Sequence, residues 1–251
     1  MFLIDIIQFL CILVCMNIPE PSQKRRHVLV SPSMMCADFL NLDRDIQLFE
    51  KHNIPLLHID IMDGHYVPNF TLGPDYCAAL ARRTKIPLDI HLMIEDVDKY
   101  APIFCAFGSP WVCFHPEVSY HPLRTLGLIK SSGGKPGIAI DPAMPVEHYK
   151  YMLDQVDFVC VMTVNPGYAG QKLIPSGLTK IAELKDYLDS NLPDVLIEVD
   201  GNVSWENIPA MVEAGADILV AGTSSLFGKD GHREENFQRM EKMLSDYSGR
   251  K

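Results

Sequence analysis

From Val28 onward, short runs of apolar and β-branched residues alternate with longer amphipathic stretches. Runs of four to seven apolar residues read as buried strands, and apolar positions spaced three and four apart read as helices. The strands predicted in this way are Val28–Ser33, Leu56–Met62, Leu88–Met93, Trp111–His115, Gly137–Ile140, Phe158–Thr163, Leu196–Val199 and Ile218–Ala221. Helical patterns lie between them at Leu42–Lys51, Pro74–Arg83, Val97–Phe107, Pro122–Ser131, Pro145–Leu153, Ser176–Leu188 and Trp205–Ala214, with a last one near Asn236–Ser245. Strands that alternate with helices imply a parallel sheet joined by right-handed crossovers. Eight such units within 251 residues favour an α/β fold closed as a single (β/α)8 TIM barrel. An open doubly wound sheet is the alternative, but no G-x-G-x-x-G fingerprint follows any strand. No low-complexity linker or charge block divides the chain, and Gly133-Gly134 reads as a helix-to-strand turn.

The start of the chain does not share this rhythm. Residues Phe2–Met16 are apolar enough to resemble the core of a signal peptide. They lack a basic start and a small-residue cleavage site, and they carry Asp5 and Gln8. The run is also shorter than the roughly 20 apolar residues that span a bilayer, although Lys24, Arg25 and Arg26 follow it. Residues 1–27 therefore read as a disordered extension or a mispredicted start with Met16 as initiator, and 28–251 as one barrel domain. No stable membrane insertion is expected.

Composition narrows the partners. Hydrophobic residues make up 47% and charged residues 22%, as in an ordinary globular protein. A formal net charge of −10 argues against a nucleic-acid or anionic-membrane surface. It leaves room for an anionic substrate, since backbone N–H groups can hold a phosphate. The seven cysteines form no C-x-x-C pair, and free thiols in a reducing cytoplasm are expected.

In such a barrel the reactive groups project from the C-terminal strand ends. The second strand ends His58-Ile59-Asp60-Ile61-Met62, and period-two alternation puts His58, Asp60 and Met62 on one face. The third ends Asp89-Ile90-His91-Leu92-Met93 and the seventh Glu198-Val199-Asp200-Gly201-Asn202. His58, Asp60, His91 and Asp200 thus form a candidate N₂O₂ set for one divalent cation, Zn, Fe(II), Mn or Co. Any one of them alone is more often a rim histidine or a loop cap; four arriving at the site end of a barrel favour the metal. The loops Asn165–Gln171, after the sixth strand, and Gly222–Ser225, after the eighth, are rich in small residues that let backbone donors approach an anion. Asp200-Gly201-Asn202 can add further donors.

These segments resemble the ribulose-phosphate 3-epimerase family. The resemblance runs from about Ser31 to Phe227 and rests on SPSMMCADF (Ser31–Phe39), HIDIMDGHYVPNFTLG (His58–Gly73), LDIHLM (Leu88–Met93), VMTVNPGYAGQ (Val161–Gln171), IEVDGN (Ile197–Asn202) and VAGTSSLF (Val220–Phe227). It implies a barrel of the ribulose-phosphate-binding type and the 3-epimerisation of D-ribulose 5-phosphate to D-xylulose 5-phosphate in the pentose phosphate pathway. It further implies that Asp60 and Asp200 are the paired acid and base, and that His58, Asp60, His91 and Asp200 ligate the metal. Ser33, His91, Gly167, Tyr168, Ala169, Gly170, Asp200, Gly201, Asn202, Gly222 and Thr223 would bind the sugar phosphate. Met62, Met93 and Met162 would cap the intermediate, although a methionine trio is by spacing alone more often core. A cytoplasmic homo-oligomer is also implied.

Tyr168 stands where Phe is usual in the family, Ala169 and Asn202 where Gly is, and Thr223 where Ser is. Ala169 and Thr223 also resemble the allulose-6-phosphate 3-epimerases, so D-allulose 6-phosphate is the alternative substrate. Decarboxylases and hexulose-phosphate synthases of related fold carry Asp-x-Lys-x-x-Asp, whereas the residue two after Asp60 is Met62. A metal-dependent hydrolase would use a metal-bound water as nucleophile. A non-catalytic sugar-phosphate sensor would have no need of two opposed carboxylates.

Overall fold

The computed structural model describes residues 27–108, 110–228 and 231–247. The extension expected over residues 1–27, with its apolar run, Cys11 and Cys15, lies outside them except for His27. Nine strands form one sheet: β1 (Leu29–Pro32), β2 (Leu57–Asp63), β3 (Phe70–Thr71), β4 (Leu88–Met93), β5 (Trp111–Phe114), β6 (Lys135–Ile140), β7 (Phe158–Met162), β8 (Leu196–Asp200) and β9 (Ile218–Ala221). The hydrogen-bonded order is β1-β9-β8-β7-β6-β5-β4-β2-β3, parallel throughout except for the antiparallel β2–β3 pair. A parallel bridge between Ser33 and His58 brings β1 against β2 and closes the eight parallel strands into a barrel.

The α-helices are α1 (Leu42–Lys51), α2 (Pro74–Arg83), α3 (Val97–Phe104), α4 (Pro122–Ser131), α5 (Ser176–Asn191), α6 (Ile208–Ala214) and α7 (Arg233–Ser245). Helices α2 and α4 begin on a proline, whose missing N–H costs nothing in the first turn. Helix α3 stops three residues before its predicted end, in a turn that passes through Gly108 at φ +79°.

The helix predicted over Pro145–Leu153 does not form. Two short 3₁₀ turns, Val146–Tyr149 and Leu153–Gln155, stand in its place. Val146, Tyr149 and Leu153 are all buried, so the three-and-four spacing that imitates a helix is met by separate turns that each set an anchor into the core.

Two apolar layers result. Outward-facing strand residues such as Ile59, Ile90, Val112, Val159 and Leu219 pack under the helices in the main core. Leu56, Trp111, Cys113, Ala139, Phe158, Cys160, Met162 and Ile218 fill the barrel interior. The interior leaves no slack: a Cβ on Gly137 would come within 2.4 Å of the Phe158 ring. Towards the C-terminal strand ends the inward positions turn polar, and the site begins there.

Candidate active site

Strand register sets the geometry. Parallel pairing puts His58 beside Asp89, Asp60 beside His91 and Met62 beside Met93, while Met162 pairs with Asp200. Inward-facing side chains on β2, β4 and β8 therefore converge, and one ligand atom from each of His58, Asp60, His91 and Asp200 lies within 4.8 Å of the others. His58 Nε2 is 3.2 Å from Asp60 Oδ1 and 3.9 Å from Asp200 Oδ2. His91 Nδ1 is 3.3 Å from Asp60 Oδ1 and 3.7 Å from Asp200 Oδ2.

These residues fit a divalent cation. A tetrahedral ion with bonds of about 2.0–2.1 Å holds its ligand atoms roughly 3.3–3.4 Å apart, close to the spacings seen. His91 Nδ1 is buried with no hydrogen-bond partner, as a nitrogen reserved for a metal would be. The free carboxylate oxygen of Asp60 is held by the Ser33 hydroxyl, which donates to Oδ2 at 3.1 Å.

Charge is concentrated here. Burial pushes the Asp60 carboxyl up, but the imidazoles of His58 and His91 outweigh it and hold the group well below the carboxylate range. Asp200 moves the other way: burial, then the charge of Asp60, raises it to about 6. Burial would lower the His58 imidazole, yet Asp89 and Asp60 hold it well above its ordinary value. The floor thus calls for positive charge, which a cation between the same groups would supply in place of a proton.

Beneath the four lie residues that the sequence reading did not assign. Asp89 Oδ2 is 2.8 Å from His58 Nδ1 and accepts from Ser31 Oγ at 3.0 Å. Glu198 Oε1 lies 3.4 Å from the same His58 nitrogen, and burial together with the charge of Asp89 raises its carboxyl to about 8. Alternation on β4 and β8 made these residues visible as inward-facing, but not what they touch.

Above the floor, one cavity is lined by Ser33, Asp60, Met62, Met93, Met162, Gly167, Tyr168, Ala169, Gly170, Asp200, Gly201, Asn202, Gly222 and Thr223. His58 and His91 lie wholly buried under it. Asn165 and Gln171, the ends of the loop expected to approach an anion, line it too, as does Cys36, to which no role was assigned. The methionines divide: Met62 and Met93 pack at the mouth with Val67, Met35 and Tyr66, whereas Met162 continues into the barrel interior.

The glycine-bearing loops are held in shape. Asn69 Nδ2 donates to the Gly167 carbonyl at 2.8 Å, and the Tyr168 hydroxyl donates to the Pro68 carbonyl. Gly201 takes φ +111°, and a Cβ there would meet the Val164 backbone nitrogen at 2.9 Å. Asn202, where a side chain restricts left-handed backbone, nevertheless adopts φ +45°. Asn is among the few residues that do so readily, and its Oδ1 accepts from Asn207 Nδ2 at 2.7 Å and from Leu173 N at 3.3 Å.

Comparison with known proteins agrees with this geometry. A profile of the ribulose-phosphate 3 epimerase family matches residues 29–227. The ribulose-phosphate 3-epimerase of Bacillus subtilis is 44% identical over 208 residues, 82% of this chain and 95% of its own length. That of Escherichia coli K12 is 40% identical over 210 residues, 83% and 93% respectively. Among solved structures, the tryptophan synthase α-subunit of Pyrococcus furiosus superposes with a TM-score of 0.60 at 13% identity, covering 90% of this chain and 99% of its own. At that identity the likeness shows the barrel alone.

Proposed function

The chain belongs to the ribulose-phosphate 3-epimerase family, and from that membership we propose how its barrel mouth performs the reaction. The enzyme is an isomerase that interconverts D-ribulose 5-phosphate and D-xylulose 5-phosphate by moving the hydrogen at C3. The observation that carries the mechanism is the arrival of Asp60 and Asp200 on one cavity floor with their acidities pushed apart.

Removing a proton next to a ketone requires a base that is ionised, and Asp60 is held so. Asp200, raised to about 6, can give up or take a proton near neutral pH. One carboxylate withdraws the C3 proton as an enediolate forms, and the other returns a proton on the opposite face. A single base would tend to return the proton to the face it left. His58, Asp60, His91 and Asp200 would hold one Zn, Fe(II), Mn or Co ion, which when bound stabilises developing oxyanion charge as a Lewis acid.

The Gly167–Gly170 loop, Gly201-Asn202 and Gly222-Thr223 line the open side of the cavity, where backbone donors would take the phosphate. Ser33 would orient the sugar end from the floor, whereas His91, wholly buried with Nδ1 toward Asp60 and Asp200 and Nε2 on His115, would reach it only through the cation. Met62 and Met93, with Met35, would cover the planar intermediate and exclude water, with Met162 beneath.

Residues 28–251 form the catalytic unit in this reading, with 1–27 an extension outside it. No helix among the described residues is long and apolar enough to cross a membrane. Cys36, Cys77, Cys105, Cys113 and Cys160 are free thiols, in keeping with a reducing cytoplasm. Membership of the family supports a homo-oligomer.

The test is NMR in D₂O with the cation-loaded enzyme and D-ribulose 5-phosphate, beside D-allulose 6-phosphate. Deuterium entering C3 together with formation of the pentulose epimer is expected. Faster turnover of the hexose phosphate would move the substrate to the alternative, and no exchange in either would overturn proton transfer altogether.

A further inference from the structure

The second nitrogen of His91 decides whether its first can serve a cation. Nδ1 faces Asp60 and Asp200, while Nε2 lies 3.0 Å from Nε2 of His115, a wholly buried residue at the end of β5. Two imidazole nitrogens at that distance share one hydrogen, so one donates and the other accepts. For His91 Nδ1 to present a lone pair, its Nε2 must carry the hydrogen, and His115 Nε2 must accept it. The hydrogen of His115 then sits on Nδ1, which makes no hydrogen bond of its own and has Glu117 Oε1 facing it at 3.4 Å. That carboxylate accepts from the Tyr66 hydroxyl at 2.8 Å, and the Tyr66 ring packs against His115 with centroids 4.8 Å apart.

The surroundings favour this direction of donation. The Glu117 carboxylate faces His115 Nδ1 at 3.4 Å, so a hydrogen there meets negative charge and Nε2 is left to accept. Burial raises the Glu117 carboxyl, but the His115 imidazole beside it and its other partners outweigh that and hold it below its ordinary value. The opposite direction would place a hydrogen on His91 Nδ1 and leave it nothing to offer a cation. His58 solves the same problem in one step, with Nδ1 on Asp89 and Nε2 toward the site.

We propose that His115 and Glu117 are positioning residues that lock His91 in its Nε2–H tautomer and so aim Nδ1 at the cation. The proposal rests on the reading that His58, Asp60, His91 and Asp200 hold that cation. It extends the site from β4 to β5 and through the Pro116–Val118 turn to a carboxylate near the surface.

The experiment measures Zn²⁺ affinity by competition with a chromophoric chelator in the unaltered protein, His115→Phe and His115→Gln. The Gln carbonyl can accept near the place of Nε2, whereas Phe cannot. Loss of an outer hydrogen-bond partner weakens a metal site by about 10–100-fold; that loss is expected for Phe, with most of it regained by Gln. Long-range ¹H–¹⁵N spectra of the Zn²⁺-loaded protein should show His91 protonated at Nε2 and His115 at Nδ1.

Unchanged affinity in His115→Phe, a Gln variant as weak as Phe, or a proton on His91 Nδ1 would each overturn the relay. If His115→Phe fails to fold, Glu117→Ala at the outer end replaces it. That variant should redistribute the His115 tautomers, and an unchanged spectrum would count against the proposal. No Zn²⁺ binding by the unaltered protein would overturn the metal centre and the relay with it, whereas normal binding left intact in His115→Phe strikes the relay alone.

Discussion

A carboxylate that must take a proton cannot be replaced by an amide of the same shape, because the amide neither accepts nor returns one. Asp60→Asn and Asp200→Asn should therefore each lower kcat by about 10²–10⁴-fold, the range of a single positioned acid or base, when assayed at saturating Zn²⁺. Near-normal turnover in either variant would sink the two-base assignment. A sharper version follows the isotope: Asp60→Asn should still wash deuterium into the epimer whose C3 hydrogen faces Asp200, without converting it. At this scale the sequence was most legible where alternation and a strand end coincide, as at His58, Asp60, His91 and Asp200. It was silent at His115 and Glu117. His115 was only the last residue of the predicted strand Trp111–His115, and its role depends on a nitrogen-to-nitrogen approach across two strands that no spacing along the chain encodes.

Elements were readable to the extent that local chemistry fixes them. Pro74 and Pro122 at helix starts placed α2 and α4 to the residue. Segment 145–155 misled because its apolar spacing serves two turns. Strand β3 escaped notice because two residues carry no pattern; it exists through pairing with Met62 and Asp63. The β8–α6 and β7–α5 loops offer a test of what a glycine does for an element. Gly201 and Gly170 both have positive φ, +111° and +80°, but only Gly201 is crowded by Val164 and Thr163, while Gly170 has nothing within 4 Å. Gly170→Ala should cost only the backbone strain, about 1 kcal/mol. Gly201→Ala adds a clash with backbone and should cost roughly 2–3 kcal/mol, with a raised KM as the phosphate loop shifts. Thermal unfolding of the pair decides it: equal Tm values would remove the crowding argument.

For the whole molecule, the place where the barrel closes is also the place where the cation would sit. Strands β1 and β2 meet through the single Ser33–His58 bridge, reinforced by the Ser33 hydroxyl on Asp60. The Thr71 hydroxyl of β3 donates to the Asp60 carbonyl at 2.6 Å from the other side. Asp60, Asp89 and Asp200 crowd two imidazoles in this buried region, with Glu198 beside them, so without a cation the repulsion among the three aspartates bears on the closure itself. A ligand that binds only the folded state at ~100 times its Kd stabilises by about 2.7 kcal/mol. For a domain of this size each kcal/mol moves Tm by roughly 2–4 °C. Stripping the enzyme with a chelator should therefore lower Tm by about 5–10 °C and abolish epimerisation, with Zn²⁺, Fe²⁺, Mn²⁺ or Co²⁺ restoring both. Because the effect acts through the seam, amide exchange should accelerate first at Leu29–Ser33 and His58–Asp60 and leave β6 and β7 protected. Metal-free protein with full activity would overturn the metal requirement. A lowered Tm with exchange spread evenly around the barrel would instead separate the cation's stabilising effect from closure, leaving it a catalytic partner with no special hold on β1 and β2.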